Sequence, residues 1–281
     1  IIPTFNRAHV IKRAIDSVLN QAFQDFELIV VDDGSTDGTR ELLENTYGTK
    51  LRYVYQQNAG VCTARNTGAG LADGKYLIFL DSDDWLSVYS LDAYSKSAMA
   101  EGIKLVKGLI TYYDQSGIKI QEIMPQNKGI HTGHPLSGSF ALSNSLFQSV
   151  GGYDANLSYS ETSDLFLRLA FEANEVGVTI EGGVCIIKEE PQSRKLRYSL
   201  KRYESVKYFL SKHRAFFDAN VNHFANFKRI HAACALKNNH FNEARECLWQ
   251  VLKRTPYSMR SHLHFYFVLL LPQVAKYYYS R

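Results

Sequence analysis

Cysteine is sparse and scattered: Cys62, Cys185, Cys234 and Cys247 are the only four in 281 residues, and no two form a C-x-x-C pair. That excludes a disulfide framework, and no His/Cys spacing resembles a zinc site. Four such thiols read as reduced, as in a cytosolic chain. Glycine-rich nucleotide loops are also missing. No G-x-G-x-x-G follows the first strand, which argues against a dinucleotide oxidoreductase, and no glycine-rich phosphate loop with a following lysine supports a nucleotidyltransferase. The strongly apolar stretch 263–271 ends at Pro272 and falls short of the roughly 20 residues that span a bilayer. No signal segment is visible, although the chain opens on Ile1 inside an apparent strand, so a few residues are expected to precede it. Acidic residues are rare in one region only. Residues 191–281 hold four Asp/Glu against 17 Lys/Arg, a net +13, whereas residues 1–190 hold 24 against 15, a net −9. The total of +4 therefore hides an acidic body and a basic tail, read as two modules. The tail should favour anionic surfaces such as phospholipid or nucleic acid.

What is present is ordinary globular material, 45% hydrophobic and 21% charged, enough for a sizeable core. Up to about residue 112, short apolar runs alternate with amphipathic segments. Strands are expected at 1–3, 26–31, 51–55, 76–80 and 105–112. Helices are expected at 10–20, 39–44, 61–71 and 90–101, with Ser35 or Thr36 as a cap for the second. This alternation predicts an α/β fold with a mostly parallel sheet flanked by helices. A further helix is expected over 164–174. From about residue 199 onward the pattern is helical, with a hairpin over 231–254 that bends at Asn238-Asn239 and stops at Pro256. The apolar stretch 263–271, followed by Lys276, Tyr277, Tyr278, Tyr279 and Arg281, suits either a membrane interface or packing on its own domain.

Three strands end in polar clusters: Thr4-Phe5-Asn6-Arg7, Asp32-Asp33-Gly34-Ser35 and Asp81-Ser82-Asp83-Asp84. Ligands bind beyond the carboxyl ends of such strands, so the three clusters should converge on one cleft. Three carboxylates within four residues repel one another and call for a cation, and hard oxygen ligands select Mg²⁺ or Mn²⁺. Mg²⁺ typically takes one or two carboxylates and completes its shell with substrate phosphates. The plainer alternatives are a solvated acidic turn with Asp84 capping the next helix for the third cluster, and a turn with a helix cap for the second. Asp33 can accept a hydrogen bond from a nucleobase, and Gly34 lets the backbone approach closely. Phe5, beside Pro3 and Thr4, offers a flat face for a base or packs in the core. Arg65 can pair with the carboxylates, reach a diphosphate, or make a surface ion pair.

These segments, in order, resemble the family 2 inverting glycosyltransferases of the GT-A fold. The resemblance rests on Pro3 to Arg7, Val31 to Asp37, Gly60 through Ala64-Arg65-Asn66 to Gly68, Phe79 to Asp84, Gly151 to Asp154, and Glu161 with Leu167 to Ala170, and covers about residues 1–190. It implies a GT-A nucleotide-diphospho-sugar transferase domain over 1–190, with a basic α-helical extension over 191–281 that can lie close to a membrane. The implied activity is transfer of a sugar from a nucleotide-diphosphate donor, by default a UDP-sugar. The acceptor is expected to be a hydroxyl of a saccharide or lipid-linked saccharide, and it is the +13 tail with the apolar stretch 263–271 that suggests a membrane-proximal acceptor in cell-envelope polysaccharide synthesis. No nucleic acid is implied as a partner, and the expected location is the cytoplasm, at the inner face of the cell membrane. The resemblance assigns Pro3, Phe5, Asp33, Arg65 and Asp81 to donor binding and Asp83 to Mn²⁺ or Mg²⁺.

Two positions depart from the family pattern. An inverting transferase needs a general base for the acceptor hydroxyl, and the family usually places an Asp where this chain has Thr162. A hydroxyl cannot act as a base near neutral pH unaided, so Glu161 is the first substitute and Asp164 the second; Thr162 or Ser163 suits a helix cap. Glu190 stands where relatives often carry a metal-ligating His, and His131 and His134 receive no role. These departures leave a second reading open, a catalytically impaired nucleotide- or glycan-binding scaffold of the same fold.

Overall fold

The computed structural model describes residues 1–99, 102–124, 136–171, 178–187 and 200–279. His131, His134, Glu190 and Arg281 lie outside these residues, as do the side chains of Tyr278 and Tyr279. The chain divides into two compact units, Ile1–Ala155 with Glu161–Lys188, and Asn156–Ser160 with Glu189–Arg281. The short segment 156–160 groups with the second unit through a hydrogen bond from Ser158 N to Ser205 Oγ, 3.0 Å, and the Arg202 guanidinium over the Tyr159 ring.

The first unit runs β1 (Ile2–Thr4), α1 (Ile11–Leu19), β2 (Ile29–Asp32), α2 (Thr39–Tyr47), β3 (Arg52–Tyr55), α3 (Val61–Leu71), β4 (Tyr76–Leu77), β5 (Trp85–Leu86), α4 (Ser90–Ala98), β6 (Leu105–Tyr113), β7 (Lys119–Ile123), β8 (Phe140–Ser143), α5 (Asn144–Ser149), α6 (Glu161–Phe171) and β9 (Val178–Ile187). The amphipathic pattern of α1 is realised directly: Ile11, Ala14, Ile15 and Val18 are buried. The apolar run of β2 is buried along its whole length, as expected of a strand covered on both faces.

Strands β1, β2 and β3 pair in parallel, in that order, with Thr4 opposite Asp32 and Asp32 opposite Tyr55. The parallel expectation does not extend to the rest. The second sheet runs β4-β8-β6-β9-β5 with β7 on β6, and only β6 and β9 are parallel. The strand expected over 76–80 pairs as ladder only at Tyr76–Leu77, yet its continuation joins the two sheets: Ile1 N donates to Ile78 O at 2.9 Å and Leu80 N to Ile1 O at 3.0 Å. Residues 78–80 thus lie alongside β1 and carry Asp81 to the same rim as Thr4 and Asp32. The core beneath is aromatic, with Phe79 packed against Phe140, Phe147 and Tyr153 at ring separations of 5.1–6.5 Å.

The second unit contains α7 (Leu200–Lys212), α8 (Arg214–Ala219), α9 (Val221–Lys237), α10 (Phe241–Arg254), α11 (Met259–Leu270) and α12 (Pro272–Tyr279). The expected hairpin is α9 and α10, with Asn239 in the left-handed region at φ 66° where Asn is tolerated. Among the described residues, no helix is long and apolar enough to cross a membrane. Between the helices lies a buried polar cluster. Cys247 Sγ is 3.4 Å from His231 Nδ1, His231 Nε2 is 3.1 Å from Glu243 Oε1, and the Tyr203 hydroxyl donates to Glu243 Oε2. The connectivity is that of a nucleophile, base and orienting acid. Burial prevents that use, pushing the thiol up to about 11 and the imidazole down to about 4. The cluster instead makes this unit acid-sensitive. The unfolded chain takes up a proton on His231 near pH 6.5 that the folded chain resists until about 4, so stability falls as pH drops through that window. Thermal melts between pH 7 and 4 should show a loss of roughly 2–3 kcal/mol. Glu243, held low mainly by its Tyr203 hydrogen bond against the opposing effect of burial, deepens the loss at the acid end. His231→Gln should flatten the profile.

Candidate active site

The three polar strand ends meet, and cross-hydrogen bonds show how. Asp33 N donates to Thr4 O at 2.8 Å, which continues the β1–β2 ladder into the loops. Asn6, at φ 54°, donates from its backbone to Ser35 Oγ and accepts from Thr36 N, both at 2.8 Å. Ser35 and Thr36 are therefore spent on the neighbouring loop and do not cap α2. The turn before that helix is closed by Asp37, whose carboxylate accepts from Thr39 N and from Ala8 N. Asp32 is internal: Oδ1 accepts from Ser35 N and Oδ2 from the Tyr53 hydroxyl, both at 2.8 Å.

Asp33 organises the loop that follows β3. Its Oδ1 accepts from Gln56 Nε2 at 2.7 Å and Ala59 N at 2.8 Å, its Oδ2 accepts from Gly60 N at 2.8 Å, and its carbonyl accepts from Asn58 Nδ2. Gly34 is needed here for two reasons: φ is +88°, and a Cβ would stand 3.0 Å from Asn58 N. The close approach expected at Gly34 is thus filled by this chain's own loop. A carboxylate oxygen accepts about two hydrogen bonds, so Oδ2 keeps one site for a further donor. Phe5 is exposed beside this loop, while Pro3 is buried in β1, where it supports the residues that follow it. Gln56 and Asn58 went unrecognised in the sequence; the polar run after a predicted strand was the available signal.

Arg65 is the centre of the arrangement. It is 2% exposed, and its Nη2 donates to Asp81 Oδ1 at 2.7 Å and Ser137 Oγ at 2.9 Å, while Nη1 donates to Glu161 Oε1 at 3.2 Å. The Tyr153 ring lies 5.0 Å from its Cζ. Burial opposes the charge, but Asp81 and Glu161 outweigh it and raise the pKa above its usual value, so the guanidinium stays charged. One residue along, Asn66 clamps the turn that carries Tyr153, donating to Tyr153 O at 2.8 Å and accepting from Tyr153 N at 2.9 Å. Two residues further, a Cβ on Gly68 would stand 2.5 Å from Ile1 Cγ2, so glycine there lets α3 lie close against the first sheet. The Arg-Asn-x-Gly run therefore serves three purposes at successive positions of one helix.

The acidic cluster is relieved by side chains of the same unit. Asp81 pairs with Arg65. Asp83 is 46% exposed at its side chain, 3.7 Å from Arg7 Nη2, and its carbonyl accepts from Arg13 Nη2. Arg13 in turn lies 4.3 Å over the Trp85 ring. Asp84 is buried, and burial, reinforced by Asp81 and Asp83, pushes its carboxyl up to about 9. Two of the cluster's carboxylates are thus ion-paired, Asp81 with Arg65 and Asp83 with Arg7, while Arg13 holds the main chain at Asp83. Arg7 belongs to the first of the polar clusters read from the sequence but had no role assigned there, and Arg13 was not picked out.

Glu161 opens α6 and sits beside Asp81, one guanidinium away; Ser160 before it takes a positive φ of 63°. Thr162 falls inside the first turn of α6 and is buried, so it does not cap the helix. Asp164 is fully buried and committed to Arg168, with contacts of 2.7 and 2.9 Å, and Arg168 also donates to Val150 O and Gly152 O. The structure therefore brings Phe5, Asp33, Arg65, Asp81, Asp83 and Glu161 to one rim. It sets Pro3 beneath them and Asp164 in an ion pair that braces the Gly151-Gly152 turn.

The sequence profile of glycosyl transferase family 2 matches residues 1–144. Glycosyltransferase GlyA of Streptococcus pneumoniae is 38% identical over 88 residues, covering 31% of this chain and 13% of that protein. An uncharacterized glycosyltransferase of Rickettsia prowazekii is 31% identical over 191 residues, covering 60% of this chain and 57% of that protein. Chondroitin synthase of Pasteurella multocida is 41% identical over 87 residues, 30% of this chain and 9% of that protein. The chain thus matches about an eighth of the length of proteins such as GlyA. Among solved structures, residues 1–349 of Staphylococcus aureus TarS align over 99% of this chain and 88% of that one, with a TM-score of 0.57 at 17% identity. The same protein in complex with UDP aligns with a TM-score of 0.59, again at 17% identity, over 99% and 90% of the two chains. That likeness shows a shared fold.

Proposed function

The chain belongs to glycosyl transferase family 2, and from that membership we propose that it moves a sugar, with inversion, from a UDP-sugar to a hydroxyl of a saccharide or lipid-linked saccharide. The observation that carries the proposal is Arg65, which holds Asp81 and Glu161 on adjacent nitrogens of one buried guanidinium. In this reading Asp81 serves the donor, with the loops at Phe5 and Asp33 holding its base. Glu161 takes the proton of the acceptor hydroxyl, with its Oε1 held by Arg65. Uridine as the base is supported by TarS, whose structures include complexes with UDP and UDP-GlcNAc. An envelope polysaccharide, made at the inner face of the cell membrane, suits the relatives that are polysaccharide synthases.

A divalent cation fits the residues present in a limited way. Among the described residues, no group of three or more His, Cys, Asp or Glu side chains converges to hold a metal. Asp81 is taken up by Arg65 and Asp84 is buried, which leaves Asp83 as a half-exposed hard-oxygen ligand. That suits Mg²⁺ or Mn²⁺ completed by donor phosphates, and it does not suit a closed protein cage. When bound, the ion would neutralise charge on the departing diphosphate. Asp83→Asn is accordingly expected to weaken metal-dependent donor binding by about ten-fold or more while leaving the melting temperature close to wild type, because the side chain is half solvated.

The competing reading is a scaffold that binds nucleotide or glycan without turnover. Thr162, buried where the family usually has its base, is the feature that favours it. Titration calorimetry with UDP-, GDP- and dTDP-sugars, with and without Mn²⁺, separates the two when followed by an assay of transfer and sugar hydrolysis. Metal-dependent binding of a UDP-sugar followed by turnover supports the transferase. Binding without turnover on any acceptor supports the scaffold, and no binding refutes both.

A further inference from the structure

Four exposed apolar side chains of α11, Met259, Leu263, Tyr266 and Leu270, are spaced four, three and four residues apart, which places them on one face; Leu269, 39% exposed, lies to one side of it. Leu271, between the helices, and Val274 and Tyr277, three residues apart on α12, are exposed as well. Leu263 is 64% exposed and Leu270 71%. The opposite side of the same helices is internal: Ser261, Val268 and Ala275 are buried, and Phe265 packs on Trp249 of α10 at 5.4 Å. Of the two readings that the sequence left open for this stretch, packing on its own domain holds for the inner face.

The charge along this end of the chain has a single sign. No Asp or Glu occurs after Glu246, whereas Lys253, Arg254, Arg260, Lys276 and Arg281 do. Lys253 and Arg260 are exposed, and Lys253 lies 5.2 Å over the Trp249 ring. A second copy of this chain would bring a like-charged region to the contact, since residues 191–281 carry a net +13. An anionic lipid surface brings the opposite charge together with acyl chains for the leucines. At 12 residues α11 is roughly 18 Å long, shorter than the hydrocarbon core of about 30 Å, so it would lie in the interface plane and not across it.

We propose that the outer face of α11 and α12 docks on an anionic phospholipid surface by interfacial insertion of Leu263, Tyr266, Leu270 and Val274, with Lys253 and Arg260 contacting headgroups. The inference extends the membrane-proximal location proposed above, but it stands on the helical unit alone. Co-sedimentation with phosphatidylglycerol/phosphatidylcholine vesicles tests it. The chain should bind these vesicles and bind pure phosphatidylcholine much less. The variant combining Leu263→Ser, Tyr266→Ser, Leu270→Ser and Val274→Ser should lose about ten-fold or more in vesicle affinity at any salt concentration. Lys253→Gln with Arg260→Gln should lose affinity at low salt and differ little from wild type at high salt. Because all of these side chains point outward, both variants should keep the wild-type circular-dichroism melt. Wild-type affinity in the serine variant would overturn the proposal, as would absence of vesicle binding by the parent chain, or a dimer in sedimentation velocity that the serine variant dissolves. UDP-sugar binding measured on the same samples reports on the transferase reading separately, so either can fail without the other.

Discussion

Replacing Arg65 with methionine should reduce sugar transfer by about 10²–10³-fold and destabilise the first unit by about 3–5 kcal/mol. The two effects share one cause. The guanidinium is 2% exposed and is the hydrogen-bond partner of both Asp81 Oδ1 and Glu161 Oε1. Methionine fills much of the volume but leaves two carboxylates facing each other across a gap, and removing one partner of a buried charge cluster costs more than the pair was worth. Arg65→Lys separates geometry from charge. One ammonium cannot hold Asp81, Ser137 and Glu161 in the planar fork that guanidinium provides. It should therefore recover most of the stability and only a small part of the transfer rate. Melting curves alongside kcat/KM for both variants give the comparison, and near-normal transfer by Arg65→Met would remove Arg65 from the site.

Glu161→Gln should lower kcat by about 10²–10⁴-fold with donor affinity close to wild type. The amide keeps the shape and a weaker acceptor for Arg65 but cannot take a proton from the acceptor hydroxyl. Donor affinity should hold because Phe5, Asp33 and Asp81 lie on the other side of the guanidinium. Asp164→Asn is the informative partner experiment. Asp164 is internal and paired with Arg168, which also ties down Val150 and Gly152, so its loss should appear as reduced stability with kcat preserved in the folded fraction. If instead Glu161→Gln transfers normally and Asp164→Asn loses kcat, the base assignment passes to Asp164. Failure of both variants to change kcat would leave the acceptor proton to a group outside this rim.

Much of the site was legible before any coordinates because strand–helix alternation forces strand ends to one side of a sheet. Three polar clusters that each follow an apolar run are then expected to share a rim: the first two follow paired strands, and the third is tied to the first by Ile1 and by Arg7 against Asp83. The order of the glycosyltransferase-like segments and the charge contrast between the two regions were likewise present in the linear chain. The parallel sheet was over-extended for a definite reason: periodicity reports that a segment is a strand and not which neighbour it pairs with or in what direction, and β4 to β9 pair largely antiparallel.

What the sequence by itself determined is a set of candidate functional groups and their approximate meeting place: Phe5, Asp33, Arg65, the Asp81 to Asp84 cluster, and Thr162 where the family usually has an Asp. Only the tertiary structure decided which of these groups are committed to each other. Arg65 meets partners 16, 72 and 96 positions away, Asp33 is shared among donors from residues 56 to 60, and Asp164 turns inward to Arg168 while Glu161, three residues earlier, turns to the rim. Hydrogen bonds and ion pairs reach only about 3 Å, so they depend on how helices and loops pack, and local sequence carries no record of that distance.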